Sequence, residues 1–160
     1  MQNKLKWCFT IKDGAALDTP NPIISKSFLE LSKDTLRVAE TVIETGEVVW
    51  STSMIYYAQY YAVYAFLSRL GVRCENHVCS IKIAAFLLGD EILSEVENSR
   101  KRRINAQYYL KTENIENIRR RFSTAKVTVT SIENIISRLT EKKIDDYLLK
   151  LKSEIKTETN

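Results

Sequence analysis

The chain has 160 residues, 44% of them hydrophobic, and a net charge of +4, which suits a single domain with a sizeable core. Four glycines and two prolines, both prolines before residue 23, argue against a turn-rich β fold. Three unevenly spaced cysteines imply no disulfide framework and fit a reducing, cytoplasmic setting. Met1 to Asp13 lacks the apolar segment of a signal peptide, and no run reaches transmembrane length, so no membrane partner is expected.

Leu5, Trp7, Phe9 and Ile11 alternate with Lys6, Cys8 and Thr10, which predicts a short extended segment with one apolar face. Gly14 and Pro20-Asn21-Pro22 break it. Asn21 with Pro22 makes a good N-cap and first-turn pair, and Ser25 is an alternative start. The first long helix then runs to about Thr45, with Phe28, Leu31, Thr35, Val38 and Val42 at helical spacing and Gly46 as its stop.

A second helix is predicted from Glu47 to Leu70, and the rest of the chain is organised around it. From Met54 to Leu67 only Gln59 falls outside the apolar and aromatic set, and five of the eight tyrosines lie there. A helix apolar on all sides must be buried on most of them. Ala58, Ala62 and Ala65 form a smooth strip for close approach of another helix. Tyr57, Tyr61 and Tyr64 line a neighbouring face, and large rings with hydroxyls to satisfy favour an interface. The run carries more apolar faces than one small bundle is expected to cover, so a homodimer through these tyrosines is anticipated.

Asn76 is a plausible N-cap for a helix from His77 to Leu88, and Gly89-Asp90 closes it. A fourth helix starts near Glu91, passes through Arg100-Lys101-Arg102-Arg103 and ends near Leu110, with Arg103 on its inward side. From Ile115 to Leu139 the spacing of three and four persists through Thr124 to Thr130, outweighing the strand preference of those Thr and Val residues. A last amphipathic helix covers about Glu141 to Ile155. The expected fold is all-α: an up-and-down bundle of five to six helices. It forms one domain over residues 1–160, with an extended segment at 1–21, the bundle at 22–156 and a tail at 157–160.

Three constellations stand out. His77, the only histidine, follows Arg73 by four residues at a loop-to-helix junction. An imidazole handles protons near neutral pH, and a nearby Arg stabilises charge on phosphorus; the plainer reading is a histidine that caps or packs its helix. Cys74, His77, Cys79 and Cys8 have the atoms for zinc, but their spacing is too tight for paired ligand knuckles, so no metal is expected. Arg100, Lys101, Arg102 and Arg103, with Arg119 to Arg121, read either as solvated helix faces or as a track for nucleic-acid phosphates. Asn76 is grouped with that track.

The run YYAQYYAVYAFLSRLGVRCENHVCS, followed by RINAQYY at Arg103 to Tyr109, resembles the HEPN domain family, and above all its small archaeal single-domain members. Trp7-Cys8 and Pro20-Asn21-Pro22 match a similar opening. The Tyr-Tyr-Ala helix, the loop from Gly71 to His77 and the Arg-x-x-Ala-x-Tyr segment complete the likeness, which spans Trp7 to about Leu151. The resemblance implies a HEPN-type bundle that usually forms a homodimer. It also implies either a metal-independent endoribonuclease of the toxin kind, needing no cofactor and encoded beside a nucleotidyltransferase-type antitoxin, or a noncatalytic module that binds nucleotide, RNA or a partner protein. The family's catalytic signature is an Arg, four to six residues, then a His. Arg73 leaves three residues before His77 and Arg69 leaves seven, so this sequence departs from the signature. In the ribonuclease reading, His77 handles protons while Arg73 and Arg103 hold the phosphate.

Overall fold

The structure, a computed structural model, describes residues 4–156; the expected tail at 157–160 lies outside them. Its elements are α1 (Lys4–Thr10), β1 (Ala15–Leu17), α2 (Pro22–Glu44), α3 (Val48–Leu70), β2 (Val72–Cys74), α4 (His77–Leu88), α5 (Asp90–Tyr109), α6 (Ile115–Ser137) and α7 (Glu141–Lys156). The fold is mostly helical, as expected, but the described residues form seven helices in place of five to six.

The N-terminal expectation is corrected. Lys4–Thr10 is a helix, not an extended segment. The helical turn puts Leu5 and Cys8 on one buried side while Trp7 faces out, with the Lys82 ammonium 5.5 Å over its ring. A strand would have put Leu5 and Trp7 on the same face. The expectation of no disulfide is also corrected: Cys8 is bonded to Cys79, 71 residues away, which staples α1 to the first turn of α4. A bond of this kind persists in oxidising surroundings, so the cysteines no longer argue for a reducing compartment. Cys74 is a buried free thiol.

Asn21 caps α2, its side-chain oxygen accepting from the Ile24 amide at 3.0 Å, and Pro22 occupies the first turn. The buried side of α2 is Ser25, Ser32, Thr35, Ala39 and Ile43. The expected inner stripe is therefore rotated, and Leu31 and Val38 lie at the surface, 42% and 49% exposed. Hydroxyls make a serine face possible in a core. Ser25 Oγ donates to the Ala65 carbonyl at 2.7 Å and Ser32 Oγ to the Ala58 carbonyl at 2.6 Å. Both bonds need α2 to approach α3 closely, which the small side chains of Ala58, Ala62 and Ala65 allow.

Within Met54 to Leu67, only Met54, Tyr57, Tyr61 and Tyr64 escape full burial. One bundle thus covers most of the faces that seemed to need a second copy, with α2, α4, α5, α6 and α7 all packing on α3. The larger core gathers Tyr56, Tyr60, Phe66 and Leu70 of α3 with Ile83 of α4, Ile132 of α6 and Leu151 of α7. A smaller one joins Ala39, Ile43, Ile55, Ile118 and Phe122. The Thr- and Val-rich part of α6 stays helical, with Ala125, Thr128, Val129 and Ile132 buried.

β1 and β2, brought together across α2 and α3, form an antiparallel pair in the register Ala15↔Cys74, Ala16↔Arg73, Leu17↔Val72. Gly71 makes this possible. It leaves α3 at φ 78°, and a Cβ there would lie 2.3 Å from the Asp18 carbonyl oxygen. The close approach lets the Asp18 amide donate to the Gly71 carbonyl at 2.7 Å.

Candidate functional site

His77 opens α4, and the cap before it fixes where the helix begins: Asn76 Oδ1 accepts from the Cys79 amide at 3.1 Å. Asn76 therefore serves its own helix terminus. The Cys8–Cys79 bond holds the same turn from the other side. His77 is partly buried against α3. Its ring lies parallel to that of Tyr60, with centroids 3.9 Å apart and 3° between planes, and its Nδ1 is 2.5 Å from the Tyr56 hydroxyl. Tyr57 meets the ring edge-on at 6.3 Å. The Tyr60 hydroxyl is 3.4 Å from Ser80 Oγ, one turn along α4.

The cations of this corner come from α5. The guanidinium of Arg103 sits 5.2 Å from the Tyr56 ring centroid and 5.6 Å from that of Tyr57, within cation–π reach of both. One of its terminal nitrogens donates to Gln107 Oε1 at 2.8 Å, and its Nε is buried without a hydrogen-bond partner among the described residues. Arg100, one turn earlier, is paired with Glu97 at 2.8 and 2.9 Å. That pairing pushes Arg100 further up and holds the Glu97 carboxyl below its ordinary value.

These neighbours set the protonation states. Burial, then the positive charges of Arg103 and Arg100, lower the His77 pKa below 6.5, so the ring is neutral at pH 7. Burial raises the Tyr56 phenol well above its ordinary value and pushes Tyr60 up to about 12. A phenol that keeps its proton donates it to Nδ1, which leaves the imidazole proton on Nε2. The corner then offers donors: Nε2–H of His77 and the remaining terminal N–H groups of Arg103. Such a set suits anionic oxygen.

The other expected site residues fall elsewhere. Arg73 lies on β2 opposite Ala16, outward-facing, among Asp13, Gly14 and Glu75. Its charge acts on Tyr64, whose phenol is raised mainly by burial and is lowered by Arg73. The cations acting on His77 are Arg103 and Arg100. The basic run is also divided. Lys101 points out, 3.9 Å from Glu97, while Arg102 turns away to Glu95 at 2.9 Å and Glu113 at 3.9 Å. Arg121 joins Glu113 at 3.4 Å, so much of the positive charge is already spent within the fold. Arg119 and Arg120 remain exposed. Tyr61 stacks on Tyr57 at 5.9 Å, and Phe28 of α2 rests on Tyr64 at 4.5 Å. The sulfurs of Cys8 and Cys79 are bonded to each other, and no group of metal-ligating side chains occurs among the described residues.

Sequence reasoning missed Tyr56 and Tyr60 as the partners of His77. Their spacing of four was a usable signal, because it puts both rings on one side of a helix that leads directly into the histidine loop.

The family model for the HEPN domain matches residues 25–144, three quarters of the chain. No curated protein and no solved structure matches it.

Proposed function

Because the chain belongs to the HEPN domain family, we propose that its His77–Arg103 corner recognises RNA phosphate and that the protein works as a noncatalytic RNA-binding module. The observation that carries this reading is the pairing of a guanidinium with an imidazole N–H at one corner. The Arg103 guanidinium is held over two tyrosine faces, beside a neutral imidazole whose Nδ1 is occupied by Tyr56. The α5 helix continues past this corner to Tyr108 and Tyr109, 71% and 65% exposed, whose rings are open for stacking by unpaired bases. The test measures binding of short single-stranded RNAs of unrelated sequence over a salt series, together with a cleavage assay. Affinity that is similar across sequences and lost in Arg103→Ala supports the module; no detectable RNA binding overturns it.

A second reading, a metal-independent endoribonuclease, is favoured by the lowered pKa of His77. A neutral imidazole beside a guanidinium suits attack of a ribose hydroxyl on its neighbouring phosphate once Nδ1 exchanges its bond to Tyr56 for the ribose hydroxyl, because Nε2 already carries the ring proton. Arg103 takes the phosphate-holding role that spacing alone had shared with Arg73. RNA cleavage by the wild type that disappears in His77→Ala and His77→Gln establishes this reading and displaces the first.

The proposal includes a homodimer. Half-buried Tyr61 and Tyr64 adjoin Phe28, Tyr57 stacks on Tyr61, and Ile24, Leu31 and Val38 lie along the exposed side of α2 at spacings of seven. Light scattering at micromolar concentration should give about twice 18.5 kDa. A mass of one chain that does not change with dilution would remove the dimer.

A further inference from the structure

We infer that the cleft between the end of α6 and α7 binds a small amphipathic anion, an alkyl or aryl body carrying a phosphate, sulfonate or carboxylate head. The cleft has a volume of about 410 Å³, within the range of small-molecule sites. Ile135, Leu139 and Tyr147 give it an apolar wall. Tyr147 is locked there by an edge-on contact with Phe66, centroids 5.7 Å apart. Around that wall stand three cations, Arg138, Lys143 and Lys150, against one carboxylate, Asp146.

Two of the cations are held by carbonyls, not by acids. Lys150 Nζ donates to the Phe86 carbonyl at 2.8 Å and lies 4.7 Å over the Phe86 ring. Lys143 Nζ donates to the Arg138 carbonyl at 3.3 Å. A carbonyl positions an ammonium without neutralising it, and each keeps two more N–H donors for a ligand. Among the described residues none of these three cations is in an ion pair. This contrasts with Arg100 and Arg102 on α5, each spent on a glutamate.

The lining from Lys143 to Lys150 covers about two turns, roughly 10 Å of helix, which suits an eight- to ten-carbon chain or a fused aromatic pair. Asp146, Tyr147 and Lys150 lie beyond residue 144, past the end of the family match. The cleft is thus built partly by a helix turn that membership of the family does not account for.

The experiment uses the full chain with 1-anilinonaphthalene-8-sulfonate as the fluorescent probe. Octyl phosphate, octanol and octyltrimethylammonium serve as competitors. The expected result is saturable binding of one probe per chain, displaced by octyl phosphate at least tenfold more effectively than by octanol, and not by the ammonium. Arg138→Ala with Lys143→Ala should weaken octyl phosphate tenfold or more while the octanol competition and the melting temperature stay put. Arg138→Gln alone, at an exposed position, should show the same trend if the double variant melts early. The proposal is overturned if octanol competes as well as octyl phosphate, if the variants keep wild-type competition, or if the probe does not bind. An acidic peptide that outcompetes octyl phosphate would overturn the small-molecule assignment in favour of a protein partner.

Discussion

Arg73 and His77 are four residues apart, and the fold gives them different surroundings. Arg73 sits in a strand whose neighbours Val72 and Cys74 are buried, so the alternation of a strand turns it outward over β1. His77 starts a helix, and Asn76 caps that helix so that the ring tucks against Tyr56 and Tyr60. Arg103, twenty-six positions later, reaches the histidine because α5 packs along α3. Spacing along the chain sets how far two residues can be from each other. The element each belongs to decides which way it faces, and here that separates the near pair and joins the distant one.

The largest test of the contrast is the bond that ties its two halves together. Cys8 belongs to α1, which packs on β1, α4 and α7, and Cys79 to the first turn of α4, two residues after His77. Replacing both by Ser should cost about 2–4 kcal/mol for a link spanning 71 residues. In a chain of this size that lowers the melting temperature by roughly 5 to 15 °C. RNA affinity measured well below the transition should hold, because Tyr56 and the Asn76 cap still fix His77. If affinity falls along with stability, the β1–β2 pair and the histidine corner are one unit and the contrast fails.

A more local test compares the two arginines directly. Hydrogen bonds to a charged group are worth about 1.5–3 kcal/mol, so Arg103→Ala should weaken RNA binding by about ten- to a hundredfold. It should also flatten the salt dependence by about one unit of log-log slope. Arg73→Ala should leave both nearly as in the wild type. Equal losses in a binding titration of the two variants would place the phosphate between them and return Arg73 to the site.

Much of the fold was legible from spacing and punctuation. Asn21-Pro22, Gly71 and Asn76 mark helix ends that the structure keeps, and the unbroken rhythm of Ile118, Phe122, Ala125 and Val129 overrode a local strand preference. What escaped depended on partners far along the chain. Seven residues around Cys8 satisfy a strand pattern and a helix pattern alike, and only packing on α4 and α7 selects the helix. Three-residue strands carry no periodic signal at all. The face of α2 was misread because the spacing of Leu31 and Val38 suggested the inner stripe, although Ser25 and Ser32 find α3 carbonyls inside the core. Of the site, His77 and an inward Arg103 were readable. The tyrosine partners followed from the packing of α4 on α3, and the outward turn of Arg73 from the β1–β2 pairing, which no short pattern announces.

The smallest expected effect is also the most diagnostic, because stability and binding should respond to acid in opposite directions. The folded chain holds the His77 pKa below 6.5, first by burial and then by the charges of Arg103 and Arg100. The unfolded chain therefore takes up the proton more readily, and stability rises with pH across this window. The contribution of neutral His77 is complete above about pH 6.5 and is lost as the pH falls through the folded pKa. A phosphate bound at the corner acts the other way. Its negative charge favours the imidazolium, so RNA affinity should rise as the pH drops from about 7.5 towards 5.5. Tyr56 and Tyr60 stay protonated throughout, because burial raises both, and Glu97 stays ionised, because Arg100 lowers it. Within that range the residue to titrate at this corner is His77. His77→Gln keeps a donor and removes the titration, so both slopes should flatten together in melting curves and binding isotherms recorded at matched ionic strength. A variant that retains the wild-type pH profile of RNA affinity would mean that phosphate does not sit beside His77.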